Sequence, residues 1–205
     1  MAVRLKTKWH RSKRSQRNME GSKREKTMTD LAGVIAFNIW KLAKEIYTNM
    51  EKEEFLLGSD KAVIDILTEI IAFMIQVADR MVYGKLSEEE RREFITVMAK
   101  QLADMINSNM NDLIGEGEYG QAFIDTLNSR FGEYAECVFV NDEPGFDFRR
   151  LLGKHVSDIM AGTDNRWVVE HVMDVEVPNA LKKLQRLITD VMGLRKRTVK
   201  QPDAE

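Results

Sequence analysis

AVIDILTEIIAFMIQVA, residues 62–78, contains the most apolar run in the chain, Ile70 to Ala78. A bilayer-crossing helix needs about 20 consecutive apolar residues, and this stretch is shorter and interrupted by Asp65, Glu69 and Gln76. It therefore reads as the second helix of a soluble helical domain, not as a membrane span. Ser59 supplies an N-cap and Gly84 a stop, so the helix is expected to run to about Tyr83. Asp65, Glu69, Gln76, Asp79 and Tyr83 fall within about 80° of one another at 100° per residue. Charged residues are seldom buried unless paired, so this polar seam is expected to be the solvated side of the helix.

The flanking segments follow the same helical period. Leu31, Ile35, Ile39, Leu42, Ile46 and Met50 recur at three- and four-residue steps, with Phe37, Trp40 and Tyr47 widening the stripe. Leu57-Gly58-Ser59 ends that first helix. Ser87 with Glu90 forms a capping box, and Glu88 to Glu90 complement the dipole of a third helix carrying Phe94, Met98, Leu102, Met105 and Ile106. The glycine-rich 115–120 stretch ends it, and a fourth helix covers about Gln121 to Glu136. The CVFV run at 137–140 suits a short extended piece, and NDEPG at 141–145 is the strongest turn signal. A fifth helix spans Phe146 to Met160 and stops at Gly162, and Thr163 or Asp164 caps the next. Pro178 removes a backbone donor and clashes with the preceding turn, so a joint is expected near Glu176 to Pro178 before a last helix from Asn179 to Met192. With no alternating pattern of useful length, the fold class is all-α: a single antiparallel bundle-like domain of six or seven helices, residues 29–194.

Charge divides the chain differently. Residues 1–28 hold ten Lys/Arg against Glu20 and Glu25, a net of +8, whereas the whole protein is only −2. With the basic tail from Arg195 to Glu205 also set aside, the body has 17 basic and 29 acidic residues. Few aliphatic residues lie between Thr7 and Lys26, which leaves too little apolar surface to offset the entropy of ordering, so 1–28 is expected to be a disordered arm until bound. Its polyanion-contacting set is Arg4, Lys6, Lys8, Trp9, Arg11, Lys13, Arg14, Arg17, Lys23, Arg24 and Lys26, with Trp9 able to stack on a base. Binding through such an arm should be non-specific and salt-sensitive. A basic, acid-poor start also matches a mitochondrial transit peptide, beside the default cytoplasmic setting that a single cysteine suggests. The arm could equally dock on its own acidic body.

Chemical motifs are sparse. His155-Val-Ser-Asp158 and His171-Val-Met-Asp174 repeat one His-Val-x-Asp pattern on successive helical segments, each pair sharing a helix face. Two such pairs converging would suit a divalent metal, with Glu170 or Glu176 as an added ligand. The plainer account is local pairing of each histidine. Gly115, Gly117 and Gly120 space as G-x-G-x-x-G, but no strand precedes them and the glutamates between and beside them would repel a phosphate. Cys137, in an apolar run, reads as an inert thiol, and the methionines and the aromatics between Tyr119 and Phe148 read as core packing or as the wall of a pocket.

The first functional expectation is accordingly a non-enzymatic helical module. Its body would engage a protein partner or self-associate, its arm would contact nucleic acid or another polyanion, and no cofactor would be required. The alternative is a metal-dependent helical-bundle enzyme using His155, Asp158, His171 and Asp174. A second alternative is a small-molecule-binding helical sensor.

Overall fold

The computed structural model describes residues 26–160 and 167–194; most of the basic arm, the Gly162–Asp164 stop and cap, and the tail from Arg195 lie outside the described residues. Five helices come first: α1 (Met28–Lys52), α2 (Asp60–Val82), α3 (Glu88–Leu113), α4 (Tyr119–Ala135) and α5 (Phe146–Ile159). A sixth helical rod follows, made of α6 (Val168–His171), a π-helical turn (Val172–Glu176) and α7 (Val177–Val191). The domain is all-α apart from a two-residue hairpin, β1 (Phe139–Val140) and β2 (Glu143–Pro144).

Helix starts follow local chemistry. Ser59 accepts from the Ala62 amide and Ser87 and Glu90 form a reciprocal capping box, both as the sequence predicts. Thr27 and Asp30 form a second such box, which sets the start of α1 just ahead of its apolar stripe. Gly84 leaves α2 in the left-handed region at φ +70°. In the hairpin, Asn141 and Asp142 are the two left-handed residues, at φ 57° and 62°, where a short polar side chain tolerates the strain. Pro144 and Gly145 therefore lie beyond the turn itself.

α2 is the axis of the domain. Val63, Ile64 and every residue from Ile66 to Ala78 are buried, so this helix is enclosed on all sides by α1, α3, α4, α5 and α7. Burying each of its Ile, Leu or Phe side chains contributes about 1.5–3 kcal/mol. α1 and α3 lie alongside each other: Thr29 donates to Glu93 at 3.0 Å, and a Cβ on Gly33 would meet the Gln101 amide at 3.2 Å. The Gly120 amide donates to Asn107 of α3 at 3.2 Å, and a Cβ there would come within 3.3 Å of the Ala103 carbonyl. That close approach accounts for one glycine of the G-x-G-x-x-G spacing. Phe73, Tyr134, Phe139 and Phe148 form an aromatic nucleus between α2, α4, α5 and the hairpin, with Tyr134 and Phe148 stacked at 4.5 Å.

One expectation needs correction and another a change of form. The polar seam of α2 is not its solvated side: Glu69, Gln76 and Asp79 are 5%, 2% and 5% exposed, and only the ends, Asp65 and Tyr83, reach water. Partners from other helices make that burial possible, as described below. The joint expected at Glu176–Pro178 is present, but as a π turn rather than a break. The rod runs through it, because the Val177 amide bonds back five residues to the Val172 carbonyl. A regular helix would set the proline ring against the carbonyl four residues earlier. The π turn carries an extra residue just ahead of Pro178 and leaves the proline in the first turn of α7, where a missing N–H costs least.

Candidate functional site

Three polar constellations stand out, the first two built from more than one element. The first surrounds the buried carboxylates of α2. Arg91, in the first turn of α3, grips Asp79 with Nε and Nη2, both at 2.7 Å, and its guanidinium lies 4.9 Å from the Tyr83 ring centre. Arg130 of α4 grips Glu69 in the same two-pronged way, at 2.7 and 2.6 Å, and also bonds Glu133 one turn on. Such forks match the guanidinium to both carboxylate oxygens and keep each charge neutralised out of water. Hydrogen bonding to Glu69 raises the Arg130 guanidinium further above its ordinary range, against the opposing effect of burial.

His155 of α5 extends this second clamp, with Nε2 2.9 Å from Glu133 Oε2. The resulting chain, Glu69–Arg130–Glu133–His155, joins α2, α4 and α5. Burial acts to raise the Glu133 carboxyl, but Arg130 and then His155 outweigh it and hold the group below the usual carboxylate range. Beside the chain, Tyr134 is fully buried, its hydroxyl has no hydrogen-bond partner among the described residues, and desolvation pushes the phenol well above its ordinary value. Cys137 approaches the Glu133 carbonyl at 3.7 Å, and its thiol is pushed up by partial burial, which lowers its reactivity.

The second constellation forms at the π turn. Glu176, 3% exposed, lies 3.2 Å from His171 Nε2 and accepts from the Asn49 amide of α1 at 3.1 Å. The His171 ring rests against Phe55, with centres 5.0 Å apart. The wider turn thus turns a buried carboxylate toward α1 and ties the sixth rod to it.

The third is a groove of about 250 Å³ on the outer face of α1, lined by Lys41, Lys44, Glu45, Thr48, Asn49 and Lys52. Lys41, Lys44, Thr48 and Lys52 fall within about 80° on the helix. Lys183 of α7 bonds Glu45, so the groove's one acidic lining residue has a cation of its own. Partial burial holds the Lys44 ammonium below the usual lysine range.

The sequence candidates are distributed as follows. Of the arm set, Lys26 is described and exposed, while Arg4, Lys6, Lys8, Trp9, Arg11, Lys13, Arg14, Arg17, Lys23 and Arg24 lie outside the described residues. The two His-Val-x-Asp pairs do not converge. His155 turns to Glu133 and His171 to Glu176, Asp158 is held by Lys154 at 2.7 Å, and Asp174 is exposed. Among the described residues, no group of three or more His, Cys, Asp or Glu side chains is placed to hold a metal ion. The histidines each take a glutamate because the i, i+3 aspartates point outward, whereas Glu133 and Glu176 lie on the buried side.

Sequence reasoning missed Arg91, Arg130, Glu133, Asn49 and the lysine groove. The i, i+3 spacing of Arg130 with Glu133 and the 41, 44, 48, 52 spacing on α1 were both legible signals; the cross-helix partners had none. No protein-family model, curated protein or solved structure matches the chain. Among the described residues, no helix is long and apolar enough to cross a membrane.

Proposed function

We propose that this protein acts by binding: the basic arm contacts a polyanion, in the first place nucleic acid, and the helical body is the interaction or self-association module. The observation that carries the reading is the separation of charge, +8 in residues 1–28 against an acidic body. A cationic segment of that density gains affinity by displacing counterions from a phosphate backbone, without sequence readout. The polar groups of the body support it indirectly. Its clamped carboxylates, its two described histidines and its partly buried cysteine are engaged in cross-helix or local contacts that hold the bundle together. The arrangement of His155, Asp158, His171 and Asp174 lends nothing to the metalloenzyme alternative. For the partner role, Val138 and Val140 share the outer face of the hairpin at 56% and 59% exposed, with Phe146 nearby at 63%. Exposed apolar side chains grouped in this way suit a protein contact.

The test is fluorescence anisotropy of a labelled single-stranded oligonucleotide with the full chain and with a full-length variant whose ten arm Lys/Arg are changed to Gln. Affinity should fall by about tenfold or more, with most of the salt dependence lost. Equal affinity of the two proteins would sink the arm's role.

A further inference from the structure

We infer that the groove along α1 is a second anion-binding surface, a track in which Lys41, Lys44 and Lys52 contact phosphates spaced along a nucleic-acid strand. The inference deepens the polyanion reading and rests on it for the choice of nucleic acid. The cations form a row on one helix face, and from Lys41 to Lys52 that row extends about 16 Å along the axis at 1.5 Å per residue. A compact anion needs its donors converging on one point, whereas a row of this length suits a linear polymer whose charges repeat about every 3.4 Å per strand in a duplex. Lysine is suited to the task, because its ammonium contacts phosphate as a point charge without demanding one bidentate geometry.

The surroundings agree. Thr48 lies between Lys44 and Lys52 on the same face and offers a hydroxyl donor. Lys183 adds a cation from α7 and balances Glu45, so the local charge is positive on a body that is acidic as a whole. Asn49, at the edge of the groove, is held by the buried Glu176 of the π turn, which fixes this wall against the sixth rod. Glu53 and Glu54 follow Lys52 directly, and their charge ends the track there.

The experiment compares four full-length proteins by anisotropy with a labelled single-stranded oligonucleotide of about 20 nucleotides, longer than one such track. They are the unaltered chain, a Lys41→Gln/Lys44→Gln/Lys52→Gln triple variant, the arm-neutralised chain, and both sets of changes combined. For single strands the salt slope changes by about 0.7 per phosphate contact, so the triple variant should lose about 2 units of slope with the arm intact. A fifth protein, the Lys→Arg triple variant, serves as control and should keep the slope, which separates charge from any change in folding. Weak binding left in the arm-neutralised chain should disappear in the combined variant. An unchanged slope in the Gln triple variant overturns the groove, whatever the arm does. Loss of slope there, with full affinity in the arm-neutralised chain, would instead keep the groove and refute the arm. Binding of the unaltered chain to anionic phospholipid vesicles but not to the oligonucleotide overturns the nucleic-acid track.

Discussion

Arg130 is the hub of one of the two buried-carboxylate clamps, since it neutralises Glu69 and Glu133 at once. Removing one partner of a buried pair leaves an uncompensated charge, so Arg130→Met should destabilise the fold by about 3–5 kcal/mol in urea denaturation. Glu69→Leu combined with Arg130→Met should recover much of that loss, because the unpaired buried charge at position 69 is then gone, while Glu133 keeps His155 and contact with water; a double variant no better than Arg130→Met would refute this account. Glu133 adds a pH dependence of defined sign. Its carboxyl is held below the ordinary 4.5, so in that window the unfolded chain binds more protons than the folded one. Its contribution is complete above about pH 4.5 and is lost as the pH falls through the lower folded value. In thermal melts, the gap between the native chain and Glu133→Gln should therefore be widest near neutrality and close on acidification; a gap that widened toward acid would contradict the assignment.

Between elements, small residues and side-chain ties decide how closely helices meet. A Cβ on Gly153 of α5 would lie 3.0 Å from Val169 Cγ1 and 3.1 Å from the Val169 carbonyl, and the second of these is backbone that cannot rotate away. Gly153→Ala should cost about 1–3 kcal/mol through forced separation of α5 and α6, measured by chemical denaturation, whereas Gly132→Ala, with open space around its Cβ, should be neutral or slightly stabilising. The π turn makes a similar demand on α1. Asn49→Ala leaves one oxygen of buried Glu176 without its donor and should lower stability by about 1–3 kcal/mol. An unchanged melting temperature would mean that the tie between α1 and the sixth rod carries no weight. The helices and their caps were legible because capping boxes and apolar periods are local. Continuity through Pro178 was not, since the bonding shift that absorbs the proline depends on how the rod packs against α1 and α5.

For the molecule as a whole, charge and core are organised separately. Among the described residues the apolar interior is built from α1 onward, and the cap that starts α1 is made by Thr27 and Asp30. Removing residues 1–25 should leave the melting temperature within about 1–2 °C, while Thr27→Ala should cost about 1 kcal/mol by loss of the cap. A large drop on truncation would show that the arm contributes to the fold, and its function would then need a different account. The acidic body does not repel anions uniformly, because two of its carboxylates are buried against arginines and the α1 groove gathers three lysines on one face.

Local order was settled by sequence alone: the all-α class, the apolar second helix, most caps and turns, and the division into a basic arm and an acidic body. Each rests on neighbours within a few residues or on composition, which the chain displays directly. Only the tertiary structure decided the fate of the polar groups. Glu69 and Asp79 were expected to face water, yet their partners Arg130 and Arg91 are 61 and 12 residues away, and burial of a charge is decided by whether such a partner arrives. The same holds for the two histidines. Each shares a helix face with its aspartate but bonds a glutamate presented by the packing of other turns, because the direction of a buried side chain is set by what surrounds it in three dimensions.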